Sequence, residues 1–318
     1  MPIHTLLLSA LLVLSYSTAQ AEAPAALSPA RPVACPAVAQ TCANYDALVF
    51  VHGIYGDKQT FENPNTRFNW PREIPPSFRG RQVDVFSLNY QTELITWARS
   101  SSPKFKDLNA AVFEVLKPLR MRAYRSIGFV AHSLGGNVVS SYIHFTKTNR
   151  SHPASSQHAY VITLATPVLG AQIADLGSMF KSALGMSDPL LESLTKNNLF
   201  LEMLLEFRKA EGPKRELYGC RAISLHAAYE EKYLGPFLVV TRDSSEESVT
   251  QLASSPIVGF RLDHSEIVKP SDARHEVYRW VNQNIDDEFV RLSAWDKAVS
   301  MHPTDKKLCV DIPFKPEA

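Results

Sequence analysis

The chain has 318 residues, enough to bury a sizeable core as one large α/β domain. Its 33 Lys and Arg nearly balance its 32 Asp and Glu, for a net charge of +1. No Lys/Arg cluster is dense enough to neutralise a phosphate backbone, so nucleic acid is not an expected partner.

Residues 1–21 open with an apolar run from Leu6 to Leu14, followed by small residues with Ala19 and Ala21 in an A-x-A arrangement. That pattern predicts a secretory signal peptide, cut near Ala21, and an exported protein, periplasmic or secreted. The run is shorter than the roughly 20 residues a spanning helix needs. Residues 22–43 are rich in Ala and Pro, a composition that buries little apolar surface, and they are expected to form a linker or loosely docked arm. The folded domain is expected over residues 44–318.

From there, apolar β-rich runs alternate with helical patterns. The strands read as "ALVFVHG", "VDVFSLNY", "SIGFVAHS", "YVITLATP", "CRAISLHAAY", "PFLVVTR" and "IVGFRLDH". Continuous apolar strands separated by helices imply a mostly parallel sheet covered on both faces. Leu108, Val112, Val115, Leu116 and Leu119 recur at helical spacing and predict a crossover helix. Val138, Val139, Tyr142, Ile143 and Phe145 predict another. Near the C-terminus, Val277, Trp280, Val281, Ile285 and Phe289 predict a helix opened by Ser271 and Asp272 as N-cap residues.

The first strand runs into His52-Gly53, where glycine permits an unusual backbone turn, so that the amide of Ile54 could point into a site. The third ends in Ala131-His132-Ser133-Leu134-Gly135-Gly136. A strand, a sharp turn with small residues and a helix display one side chain above a sheet, the mechanical meaning of the G-x-S-x-G elbow. Ala131 replaces the first glycine but is also small. Ser133 is therefore the candidate nucleophile, with the amide of Leu134 a second oxyanion donor beside that of Ile54.

A serine hydroxyl needs a base and a group to orient the base. His264, in a loop between the last strand and the C-terminal helix, is the candidate base; His132, His144, His226 and His275 fit less well. Glu230 follows the strand ending in Tyr229 and Asp243 follows "LVVTR". Either could be the acid, with Glu231 and Asp263 as further alternatives. Four cysteines in an exported chain favour pairing, and the order of sequence suggests Cys35 with Cys42 and Cys220 with Cys309. No Cys/His spacing resembles a zinc site, so neither a catalytic metal nor a cofactor is expected.

Four separated motifs, "VFVHGIYGD", "AHSLGG", "LATPVLG" and "DHSEIVKP", resemble the α/β-hydrolase fold of serine lipases and esterases. They are most similar to the branch of glycosylphosphatidylinositol-inositol deacylase-like and serine-active-site-containing proteins. The resemblance implies Ser133 as nucleophile and His264 as base, and its "Y-E" after the penultimate strands favours Glu230 over Asp243. It also implies that the insertion at about 171–219, with its apolar helical faces, is a lid or cap over the acyl site that could make transient contact with a membrane surface. The expected activity is hydrolysis of carboxylic esters of lipid or another small acyl-bearing substrate. An acyltransferase using the same acyl-enzyme, and a binding module on a hydrolase scaffold, are the alternatives.

Overall fold

In a computed structural model, the described residues are 26–36, 41–53, 56–57, 59–90, 111–148, 158–166, 223–232 and 256–301. The expected signal segment, the expected cap at about 171–219, the "PFLVVTR" run and the suggested Cys220–Cys309 pair fall outside them.

The apolar runs form one eight-stranded sheet. Its strands are β1 (Ala26–Pro29), β2 (Tyr45–Val51), β3 (Ser77–Phe78), β4 (Arg81–Asn89), β5 (Ser126–His132), β6 (His158–Leu164), β7 (Ser224–Glu230) and β8 (Val258–Phe260). The spatial order is β1-β4-β2-β5-β6-β7-β8, with β3 paired to β4. Every pairing from β4 through β8 along that order is parallel, whereas β1 and β3 pair with β4 antiparallel. This is the mostly parallel sheet with flanking helices expected from the sequence. The described helices are α1 (Trp70–Glu73), α2 (Lys117–Met121), α3 (Leu134–Thr148) and α4 (Glu276–Met301).

Alternation along the strands explains why they read as unbroken apolar runs. In β2, Ala47, Val49 and Val51 join one core with Phe129, Val138 and Tyr142, while Leu48 and Phe50 join a second with Trp70, Val281 and Phe289. A strand buried on both faces has no polar side to show. The crossover pattern at 108–119 becomes helical backbone over 111–115 and then α2, with the ladder restarting where Pro118 supplies no N–H. The C-terminal helix starts at Glu276, later than its predicted cap. Asp272 instead accepts the Arg274 amide in the preceding turn, at 2.7 Å.

Residues 22–43, expected as a linker or loosely docked arm, contribute the edge strand β1 to the sheet. Ala26 to Pro29 pair with Asn89 to Phe86, and Pro29 is tolerated because the strand lies at the edge. Polar bonds hold the residues after β1. Arg31 donates to the carbonyls of Ile74, Pro75 and Val83, and Asp84 accepts from the amides of Ala34 and Cys35. The Cys35–Cys42 disulfide closes the segment onto β2. Composition revealed none of this, since the arm is docked by backbone and ionic groups more than by apolar burial.

The N-terminal end of the central parallel strands is locked by charge. Asp46, at the start of β2, accepts from Arg81 of β4, Arg125 and Ser126 of β5, and Arg81 reaches on to Asp296 of α4. Burial alone would raise the Asp46 pKa, but the bonds from Arg81 and Arg125 outweigh it and hold the carboxyl below its usual range.

Candidate active site

β5 is buried along its whole length and ends at His132. The next residue, Ser133, has φ of 52°, a left-handed conformation rare outside glycine. Its amide donates to the Leu164 carbonyl of β6 at 2.9 Å, and its carbonyl accepts from Gly136 at 3.1 Å as α3 begins. These bonds on both sides hold a backbone state that costs on the order of 1–3 kcal/mol. Leu134, as the first residue of α3, has an amide with no intrahelical partner.

Glycines let the strand ends close around this turn. A Cβ on Gly135 would lie 2.5 Å from the His52 carbonyl, and one on Gly53 would lie 2.7 Å from Ser133 Cβ. Gly53 does not lie at positive φ, so it is needed for space beside Ser133 and not for an unusual turn. His52 itself stacks on Tyr90 with ring centroids 4.4 Å apart. Its Nδ1–H donates to the Gly53 carbonyl at 2.8 Å, and the Tyr90 hydroxyl donates to the His52 carbonyl. Burial lowers the His52 pKa and favours the neutral ring. His52 therefore shapes the strand end and makes no bond to Ser133.

The loop after β8 brings in the base. β8 lies three places from β5 in the sheet, so this loop must reach back across the ends of β7 and β6. Asp263 stabilises it locally by accepting the amides of Ser265 and Glu266, both at 2.8 Å, and Ile267 and Val268 bury behind it. His264 Nε2 lies 3.0 Å from Ser133 Oγ, and His264 Nδ1 lies 2.9 Å from Glu230 Oε2. Ser133, His264 and Glu230 are respectively 1%, 4% and 0% exposed, so the contacts are shielded from water.

The carboxylate fixes the tautomer. Glu230 can only accept, so Nδ1 carries the hydrogen and Nε2 is left to accept the Ser133 hydroxyl proton. A serine so connected can lose its proton to the imidazole as it attacks, with a buried carboxylate stabilising the positive charge that develops on the ring.

Of the residues singled out from the sequence, the structure brings together Ser133, Leu134, His264 and Glu230. Asp243 and Ile54 lie outside the described residues. Glu231 is exposed, its amide bonded to the Phe260 carbonyl, and Asp263 is occupied with the turn. Sequence reasoning gives His132 no role, because it sits inside the elbow. Its Nε2 lies 2.9 Å from the His264 carbonyl, and its position beside Ser133 is the only signal that could have found it. Among the described residues, no group of three or more His, Cys, Asp or Glu could hold a metal ion, and no helix is long and apolar enough to cross a membrane.

The profile of a family described as "Putative serine esterase (DUF676)" matches residues 44–202. No curated protein matches the chain. Among solved structures, an inhibited esterase B from Lactobacillus rhamnosis is similar at 12% identity and a TM-score of 0.49, covering 81% of each chain. The mature lipase BlEst2 of Bacillus licheniformis is similar at 19% identity and a TM-score of 0.48, covering 78% of this chain and 94% of its own.

Proposed function

The chain belongs to the serine esterase family DUF676, and from that premise we propose that it cleaves carboxylic esters of lipid or other acyl-bearing substrates through a Ser133–His264–Glu230 triad. The observation that carries this reading is the unbroken pair of buried contacts from Glu230 through His264 to Ser133, at 2.9 and 3.0 Å.

Ser133 Oγ attacks the ester carbonyl carbon while its proton passes to His264 Nε2. The negative charge on the carbonyl oxygen is received by the amide of Leu134, and Ile54, outside the described residues, is the second donor expected from the sequence. The carbon–oxygen bond to the alcohol then breaks, and His264 returns the proton to the departing alkoxide. In the second half, water gives a proton to His264 as it attacks the acyl-enzyme. Ser133 recovers its proton when the acid leaves. Glu230 keeps the imidazole oriented throughout by accepting from Nδ1.

The acyl preference is for lipid, a reading supported by the four motifs' likeness to lipid-remodelling deacylases and by the apolar sequence at 171–219, expected from the sequence as a cap that could touch a membrane surface. Export is supported by the Cys35–Cys42 disulfide, a bond that persists in oxidising compartments.

The test is initial rates on aryl esters of increasing acyl length, wild type beside Ser133→Ala. The expected result is turnover that rises with chain length and falls roughly 10⁶-fold in the mutant. Turnover unchanged in Ser133→Ala would remove Ser133 from the mechanism, and a preference for acetyl esters would remove the lipid assignment. N-terminal sequencing of the recovered protein tests export, with cleavage near Ala21 expected.

A further inference from the structure

We propose that His132 is a positioning residue, one that clamps the loop carrying His264 over the end of β5 by donating its one ring N–H to the His264 main-chain carbonyl. The proposal rests on the Ser133–His264–Glu230 triad reading.

The loop has a reach problem. It leaves β8 and must place an imidazole over Ser133, beyond the ends of β7 and β6. Glu230 secures the ring of His264 from β7, but one bond to Nδ1 leaves the ring free to tilt with its backbone. His132 supplies a hold on that backbone from β5 itself. Its Nε2 lies 2.9 Å from the His264 carbonyl oxygen, and the two rings lie with centroids 4.8 Å apart at 45°. Because Ser133 directly follows His132, the hydroxyl and the base are referenced to adjacent residues of one buried strand end.

The partners set the protonation state. A carbonyl only accepts, so Nε2 carries the hydrogen and Nδ1 is bare. Nδ1 is buried and has no partner among the described residues. A phenyl ring would fill the same space without leaving a buried acceptor unpaired, so what imidazole adds here is the donor. Burial, reinforced by the nearby His264, pushes the His132 pKa well below its ordinary value. A neutral neighbour matters chemically, because His264 must become a cation when Ser133 attacks, and a second cation at this range would oppose it.

The experiment compares His132→Leu and His132→Gln with wild type, measuring kcat and KM on an aryl ester, thermal midpoint, and the rate of Ser133 labelling by a fluorophosphonate read as intact mass. Glutamine is chosen because its amide can reach and donate to the same carbonyl. The expected result for His132→Leu is a loss in kcat and in labelling rate of roughly 10²-fold, the scale of a misplacement near 1 Å, with KM little changed. His132→Gln should recover most of it. Wild-type kcat in His132→Leu overturns the proposal. So does a loss that glutamine fails to restore, because packing and not the donor would then be at stake. If wild type neither turns over nor labels, the triad reading falls and takes this inference with it. An active wild type, a dead Ser133→Ala and an unaffected His132→Leu sink the inference alone.

Discussion

Strand β7 contributes to two buried histidine–glutamate pairs, and the contrast between them isolates what makes such a pair chemical. At its end, Glu230 meets His264 at 2.9 Å; four residues earlier, His226 meets Glu288 of α4 at the same distance. All four side chains are at most 5% exposed. The partners on the far side differ. His264 presents its second nitrogen to a serine hydroxyl on a left-handed turn, whereas Glu288 spends its second oxygen on Arg291, whose guanidinium also holds the Ala159 carbonyl of β6. The first pair ends on a group that can give up a proton. The second ends on a permanent cation tied to the sheet, and serves to fasten α4.

The sharpest way to break this contrast is to neutralise each glutamate in turn. Glu230→Gln replaces an acceptor with an amide that can donate to Nδ1, which favours the hydrogen on Nε2 and removes the base facing Ser133. The expected result is a fall in kcat of roughly 10⁴-fold, with the thermal midpoint close to wild type. Glu288→Ala should do the reverse. Removing one partner of a buried, charge-bonded set costs about 3–5 kcal/mol, measurable by urea unfolding, while kcat per folded molecule stays at the wild-type value. A Glu288 variant that folds normally but loses turnover would erase the distinction.

The smallest effect sharpens the comparison through pH. Burial works to raise the Glu288 pKa, but the His226 bond and the Arg291 charge prevail and hold it below its ordinary 4.5. The unfolded chain then binds more protons at Glu288 than the native one. Its contribution is fully present above the ordinary value and is lost as pH falls through the lowered one. Thermal midpoints measured downward from pH 6 should therefore drop less steeply in Glu288→Gln than in wild type. Equal slopes would mean that this carboxylate is not held down in the native state.

How far the sequence reached depended on where polar groups sat relative to apolar pattern. Strands such as β2 and β5 were legible because both faces are buried and their runs are continuous. Ser133 stood out as a polar residue between such a strand and a helix. The acid was less legible: Glu230, Glu231, Asp243 and Asp263 all sit at or after strand ends, and only the family resemblance favoured Glu230. What distinguishes Glu230 from Glu231 in the structure is the side of the chain: one faces His264, while its neighbour is exposed. Glu288 was invisible for a related reason. It lies among the charged residues "DDE" of an amphipathic helix, and only the fold sets it over His226. The β1 arm was missed because its attachments through Arg31 and Asp84 leave no hydrophobic trace.

The left-handed backbone at Ser133 also restricts which atom can be offered at this position. Threonine carries the same hydroxyl, yet its branched Cβ is a poor fit to φ near 50°. Cysteine keeps serine's single unbranched substituent and does not meet that obstacle. The choice of nucleophile at the elbow is thus open in element, oxygen or sulfur, and closed in shape.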